Sequence, residues 1–222
     1  MSTLIREESA PPGSRAGAGA AIGRLFRLHL MSRRVPTAIA ALVLCAPLLQ
    51  WAIRNALSQR QTSGAVTSAG QLCLLLEAAI AAVVSAALHG PFGESERIAG
   101  RRLPWLRLAT ALLLTACALG AVYVGVLGTD MPSGEFSALR DTAGMIGIGV
   151  LCTVLVGGHF AWVGPAAYWV VGAYAISEGW QTPWTWPARP GDDTGAGLCA
   201  FGLLAAALLV ITTIGPRHHN RD

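Results

Sequence analysis

The chain has 222 residues, of which 53% are hydrophobic and only 13% are charged. Soluble domains carry about 25% charged residues, so this composition excludes an ordinary soluble domain and predicts a membrane protein. The net charge of +4 does not indicate nucleic-acid binding. The basic residues fall in short blocks between apolar runs, as they do beside transmembrane segments.

Lysine is missing from the sequence, and all 16 basic residues are arginine. The phosphate-binding loop of an ATPase needs the lysine of its G-x-x-x-x-G-K-[ST] motif, and Schiff-base catalysis needs a lysine amine. The chain is therefore predicted not to be an enzyme of either type, and no cofactor is expected on it. Active transport would draw its energy from a partner subunit or from an ion gradient.

The N-terminal 34 residues fall into two parts. Residues 1–20 are rich in proline, glycine and alanine and are predicted to be a disordered cytoplasmic tail. Residues 21–34 place apolar side chains near one helical face and arginines towards another, which predicts an amphipathic helix in the membrane interface. The sequence has no A-x-A site followed by a globular domain, so a cleaved signal peptide is not predicted.

Six apolar segments predict an all-α, polytopic membrane protein with six transmembrane helices. They lie at residues 35–53, 69–88, 106–127, 142–158, 161–176 and 195–214. The fourth and fifth segments are so close together that a tight hairpin is the simplest interpretation. The transmembrane domain is thus predicted at residues 35–214, followed by a cytoplasmic tail at 215–222.

Arginines in the flanking segments predict the orientation of the helices. Twelve lie on one side of the predicted membrane, namely Arg6, Arg15, Arg24, Arg27, Arg33, Arg34, Arg97, Arg101, Arg102, Arg107, Arg217 and Arg221. Four lie on the opposite side, together with acidic residues such as Asp141, and these are Arg54, Arg60, Arg140 and Arg189. Both termini are therefore predicted to be cytoplasmic. Abundant alanine, glycine and arginine favour the inner membrane of a bacterium with a GC-rich genome.

The sequence contains no pattern that predicts a catalytic or metal site. Neither G-x-S-x-G nor H-E-x-x-H nor an EF-hand loop occurs. The five cysteines lie one each in five apolar runs without a C-x-x-C pair, which favours packing over zinc or disulfide bonds. They are Cys45, Cys73, Cys117, Cys152 and Cys199.

Glu77 is a carboxylate inside the second apolar segment, about 9–12 Å from its outer end. It shares a helical stripe with Ser85, and an intramembrane polar site is predicted at these two residues. A neighbouring stripe of small residues is predicted to pack against another helix, and it consists of Ala78, Ala82 and Ala86. Three roles stay open for Glu77: lining the path of a cationic or amphipathic substrate, carrying protons, or linking subunits or headgroups.

Tryptophans mark two predicted contacts with the membrane interface. Trp105 precedes the third apolar segment. The loop before the last segment, EGWQTPWTWPARPGDD, carries Trp180, Trp184 and Trp186, and its three prolines prevent a continuous helix. These four tryptophans are predicted to be interfacial anchors, and stacking on a ligand is the alternative for the last three.

The loop between the second and third segments is the most structured polar part of the sequence. Ser95 to Arg102 predicts a short helix that ends before Pro104. Mixed charge on a short rigid element suits the docking of a cytoplasmic partner, whereas the simpler alternative is a positive-inside flank only. The predicted docking residues are Glu94, Glu96, Arg97, Arg101 and Arg102.

These features together resemble the permease subunits of type-two ABC exporters, above all the small bacterial ones that serve antibiotic or peptide export. The resemblance is carried by the topology, by FGESERIAGRRLPWLRL at 92–108 and by LRDTAGMIGIG at 139–149, which is similar to the LRN-type start of the fourth span. It implies that residues 93–103 form the coupling helix and contact a separate ATP-binding subunit that holds ATP and Mg. It also implies a homodimer, or pairing with a second permease, and outward movement of an amphipathic compound or peptide.

Two interpretations from other classes stay open. The chain is either an anchoring or regulatory membrane protein that recruits a cytoplasmic partner without transport, or an ion-coupled transporter that works through Glu77.

Overall fold

The computed structural model describes residues 35–63, 66–88, 103–129, 134–180 and 182–213. Every regular element within these ranges is helical, which confirms the all-α prediction for this part of the chain. The α-helices are α1 (Val35–Ser63), α2 (Val66–Leu88), α3 (Leu103–Val126), α4 (Glu135–Leu155), α5 (Val163–Glu178) and α6 (Thr194–Thr213). Short 3-10 turns follow α4 at Gly158–Phe160 and α5 at Trp186–Ala188.

Five of these helices, α1 to α4 and α6, are long and apolar enough to cross a membrane. The prediction of a helical membrane protein is confirmed at this level. The remaining predicted span, the fifth, corresponds to α5, which has 16 residues and is thus about 24 Å long, against about 30 Å for the hydrocarbon core. It is short because residues 157–162 form the turn that connects α4 to α5. The turn begins at Gly157, whose φ of 106° favours glycine.

Helix α4 lies at the centre of the bundle and packs against α2, α3, α5 and α6. Of its membrane-length stretch, 72% is buried, compared with 28% in α1 and α6. Close packing depends on small residues: a Cβ added at Gly147 would lie 3.0 Å from the backbone nitrogen of Leu204 on α6. Polar side chains on α4 therefore face protein, where they can be satisfied, and not lipid.

The beginning of α4 corrects the sequence prediction. An apolar run predicts a start at residue 142 and leaves Arg140 and Asp141 in an external loop. In the structure the helix begins at Glu135, and both side chains are buried within it. The prediction is wrong because a hydropathy profile places charged residues outside the membrane-spanning segment. Here Arg140 pairs with Asp141 and also donates hydrogen bonds to backbone carbonyls, so both side chains can lie inside the bundle.

Several predicted features lie outside the described residues. They are the tail at 1–20, the interfacial helix at 21–34, the tail at 215–222 and the docking residues Glu94, Glu96, Arg97, Arg101 and Arg102. The predicted orientation of the termini also stays a prediction.

Candidate functional site

A polar cluster of Glu77, Arg140 and Asp141 lies near the end of the bundle where α2 and α4 begin. Glu77 follows the start of the apolar part of α2, Gly70, by seven residues, and Asp141 follows the start of α4, Glu135, by six. At 1.5 Å per residue, both carboxyl groups lie about 10 Å from the same end of their helices. Since α2 packs on α4, the two groups face one region.

The Arg140 side chain is fully buried and extensively hydrogen-bonded. Its Nε donates to Oδ1 of Asp141 at 2.9 Å, and its Nη1 donates to the carbonyl of Pro190 at 2.7 Å. Its Nη2 donates to the carbonyls of Trp186, at 2.5 Å, and Arg189, at 3.2 Å. A buried cation is stable only when it is paired and hydrogen-bonded. Arg140 therefore holds residues 186–190 against α4.

We call residues 182–193 the capping segment. Besides its bonds to Arg140, it accepts a hydrogen bond from the Tyr168 hydroxyl to the carbonyl of Trp184, at 2.7 Å. Within the segment, Arg189 forms an ion pair with Asp193. The capping segment is thus fixed to both α4 and α5, although three prolines keep it from continuing either helix.

Asp193 also caps α6. Its Oδ1 accepts hydrogen bonds from the backbone N–H of Gly195, at 2.8 Å, and of Ala196, at 3.2 Å, as N-cap carboxylates do. The Ala196 N–H, followed by the Arg189 side chain, lowers the pKa of Asp193 below its ordinary value of 3.8. Because the folded-state pKa is lowered, the stabilisation by this carboxylate is complete above the unfolded-state pKa and is lost as pH falls through the folded-state pKa.

We expect Asp193→Asn to flatten the acid side of the stability profile. Wild-type protein should lose thermal stability from about pH 5 downwards, and the variant should lose less over that interval because its side chain does not titrate. Melting temperatures in detergent across this range measure the difference. Asp192→Asn is the matched control, since the Asp192 side chain is exposed. Identical profiles for wild type and Asp193→Asn would contradict the prediction.

A cavity of about 70 Å³ lies beside the polar cluster. Glu77 and Asp141 both line it, together with Ser137, Cys73, Ile176 and Pro187 of the capping segment. The Glu77 side chain is only 3% exposed, and no side chain among the described residues donates a hydrogen bond to it. Its carboxyl group therefore faces the cavity without a donor.

Ser85, which the sequence predicts to share a polar site with Glu77, does not line this cavity. Its hydroxyl is fully buried and donates to the carbonyl of Ala81, one turn earlier, at 2.7 Å. Gly149 of α4 packs directly on the Ser85 side chain. Ser85 thus lies at a close helix contact, about 12 Å further along α2 than Glu77.

The predicted packing stripe of alanines is only partly packed. Ala78 is buried, Ala82 is half-buried and Ala86 is exposed. The stripe that stays buried along this part of α2 is that of Glu77, Ala81 and Ser85.

The tryptophans divide into exposed and buried positions. Trp105, Trp180 and Trp184 are 73%, 38% and 48% exposed, as interfacial positions would be. Trp186 is only 2% exposed and stacks on Tyr168 with ring centroids 4.6 Å apart. The prediction of an interfacial anchor at Trp186 is therefore corrected. Its ring is an interior side chain, and its carbonyl accepts a hydrogen bond from Arg140.

Arg140 and Asp141 are the residues of the cluster that sequence reasoning missed. The only signal was their place in LRDTAGMIGIG, directly before a glycine-rich apolar run, where charged residues are easily assigned to the loop that flanks a span. Among the described residues, no group of three His, Cys, Asp or Glu side chains is arranged to hold a metal ion.

Comparisons with protein-family models, with curated proteins and with solved structures found no match to this chain.

Proposed function

We propose that this chain is the membrane-spanning permease subunit of an exporter that a separate ATP-binding subunit energises. The observation that carries the transport role is Glu77, a buried carboxyl group that faces a cavity at membrane depth without a hydrogen-bond donor. An acidic group near a helix centre costs about 2.5–3.5 kcal/mol on insertion, and such groups line substrate or ion paths.

The energy source follows from the absence of lysine and from the resemblance of the loop at 92–108. A chain without lysine has no phosphate-binding loop of its own. We assign contact with the ATP-binding subunit to the charged residues of this loop on the cytoplasmic side of a bacterial inner membrane. The permease would act as a homodimer or beside a second permease.

Helix α2 supports this mechanism by its position in the chain. Glu77 lies near one end of α2, and the loop that follows Leu88 at the other end carries the docking residues. The distance along the helix from residue 77 to residue 88 is about 17 Å. A rigid helix transmits displacement over this length, so motion of the docked subunit would reach the cavity directly.

Charge reversal at the docking loop tests the proposal. We expect Arg101→Glu together with Arg102→Glu to lower the associated ATPase activity at least tenfold, because repulsion across a charged interface costs several kcal/mol. The tagged chain is purified from its own cells in mild detergent. Vanadate-sensitive ATP hydrolysis is then measured, and peptides with a Walker A motif are sought by mass spectrometry.

The matched control reverses two tail arginines, Arg217→Glu with Arg221→Glu, and should retain the activity. A wild-type preparation without an ATP-binding partner would refute the proposal. Equal loss in both double variants would show that the loop at 92–108 is not the docking element.

A further inference from the structure

The polar cluster contains one more potential negative charge than positive charge. Arg140 contributes one positive charge, and its Nε is already bonded to Asp141. Its remaining bonds go to neutral carbonyls of the capping segment. Glu77 therefore has no counter-charge of its own within the described residues, although it lines the same cavity as Asp141.

The cavity restricts the size of any ligand that supplies this charge. Its volume of about 70 Å³ is far below the roughly 300–1,000 Å³ of pockets that enclose whole drug-sized molecules. It is large enough for an ammonium group together with water, since about 10–15 Å³ of such cavity volume holds one water. The carboxylates of Glu77 and Asp141 and the hydroxyl of Ser137 offer oxygen ligands to a hard cation.

We propose that the Glu77–Asp141 cavity binds a single monovalent cationic group no larger than ammonium. One positive charge balances the cluster, whereas a divalent ion would leave it with an excess of positive charge. The group is either a free ion such as Na⁺ or NH₄⁺, or the ammonium head of a transported amphipathic compound whose tail extends out of the cavity. The physiological meaning of the site rests on the transport function proposed above.

Thermal stability of the purified chain measures this binding. The protein is prepared in detergent with choline chloride as the only salt, and unfolding is followed by tryptophan fluorescence. One arm replaces choline with Na⁺ or NH₄⁺ at constant ionic strength. The other compares octylammonium with octyltrimethylammonium, whose head is too large for the cavity. A ligand at a hundred times its Kd should raise the melting temperature by about 5 °C or more.

The variant Glu77→Gln should abolish the cation-dependent shift, and Glu178→Gln should retain it because the Glu178 side chain is exposed at the end of α5. If Glu77→Gln does not fold, Ser137→Ala provides the test and should weaken binding several-fold. A shift with small ions alone identifies a free ion, and a shift with octylammonium alone identifies a substrate head.

Three results would overturn the proposal: no stabilisation by any of these cations, an equal effect of choline or octyltrimethylammonium, or an undiminished shift in Glu77→Gln. Because binding is measured on the chain alone, its absence leaves the ATPase experiment intact. Conversely, failure to find an ATP-binding partner leaves the cation site intact.

Discussion

Replacing Arg140 with methionine should destabilise the protein by about 3–5 kcal/mol, the range for breaking a buried ion pair by removing one partner. The change leaves Asp141 buried without its cation and removes the side chain that binds three carbonyls of the capping segment. For a protein of this size the melting temperature should fall by about 10 °C. Fluorescence-detected unfolding in detergent measures it.

The control for size and charge is Arg54→Met, since Arg54 is exposed on α1 and its replacement should change stability by no more than about 0.5 kcal/mol. The double variant Arg140→Met with Asp141→Leu should recover part of the loss, because Asp141 is then no longer buried without its cation. If Arg140→Met were as mild as Arg54→Met, the guanidinium would not be holding the capping segment to α4.

Replacing Gly144 with alanine should cost about 1–3 kcal/mol through overpacking. A Cβ at this position would lie 2.5 Å from Cζ2 and 2.6 Å from Cε2 of the Trp186 ring. That ring cannot move freely, because it is stacked on Tyr168 and its residue is bound through the carbonyl to Arg140. The expected readout is a lower melting temperature and faster proteolysis of the capping segment.

Gly202→Ala is the matched control, because a Cβ on this face of α6 meets no atom within 4 Å. It should be neutral or stabilising by up to about 1 kcal/mol, as glycine is the poorer helix former. Adding Trp186→Phe to Gly144→Ala should relieve the clash without losing a hydrogen bond, since Nε1 of Trp186 has no partner among the described residues. If the double variant were as unstable as Gly144→Ala alone, the loss of stability would not come from a clash with the Trp186 ring.

The cavity and the capping segment depend on the same side chain. Pro187 lines the cavity, and the carbonyls on either side of it, those of Trp186 and Arg189, accept hydrogen bonds from Arg140. A variant that releases the capping segment should therefore also change the wall around Glu77. We therefore expect substitutions at Arg140 or Gly144 to change cation binding, although neither residue lines the cavity.

Amino-acid order was sufficient to locate most of the helices. The predicted segments at 69–88 and 195–214 agree with Val66–Leu88 and Thr194–Thr213 within a few residues, because a long apolar run has no stable alternative to a helix in lipid. The first prediction stopped at residue 53, although α1 continues to Ser63. Hydropathy detects the hydrocarbon-spanning part only, whereas helical hydrogen bonding continues past the first exposed charge.

Sequence alone also determined that Glu77 needs a polar surrounding, since a carboxyl group within an apolar run needs a partner or water. Only the tertiary structure decided what surrounds Glu77, because Asp141 and Pro187 come from segments more than 60 residues away along the chain. It also decided that Arg140 and Trp186 are interior residues. A guanidinium or an indole is stable inside only when specific carbonyls and ring faces meet it, and those partners are brought together by packing rather than by sequence proximity.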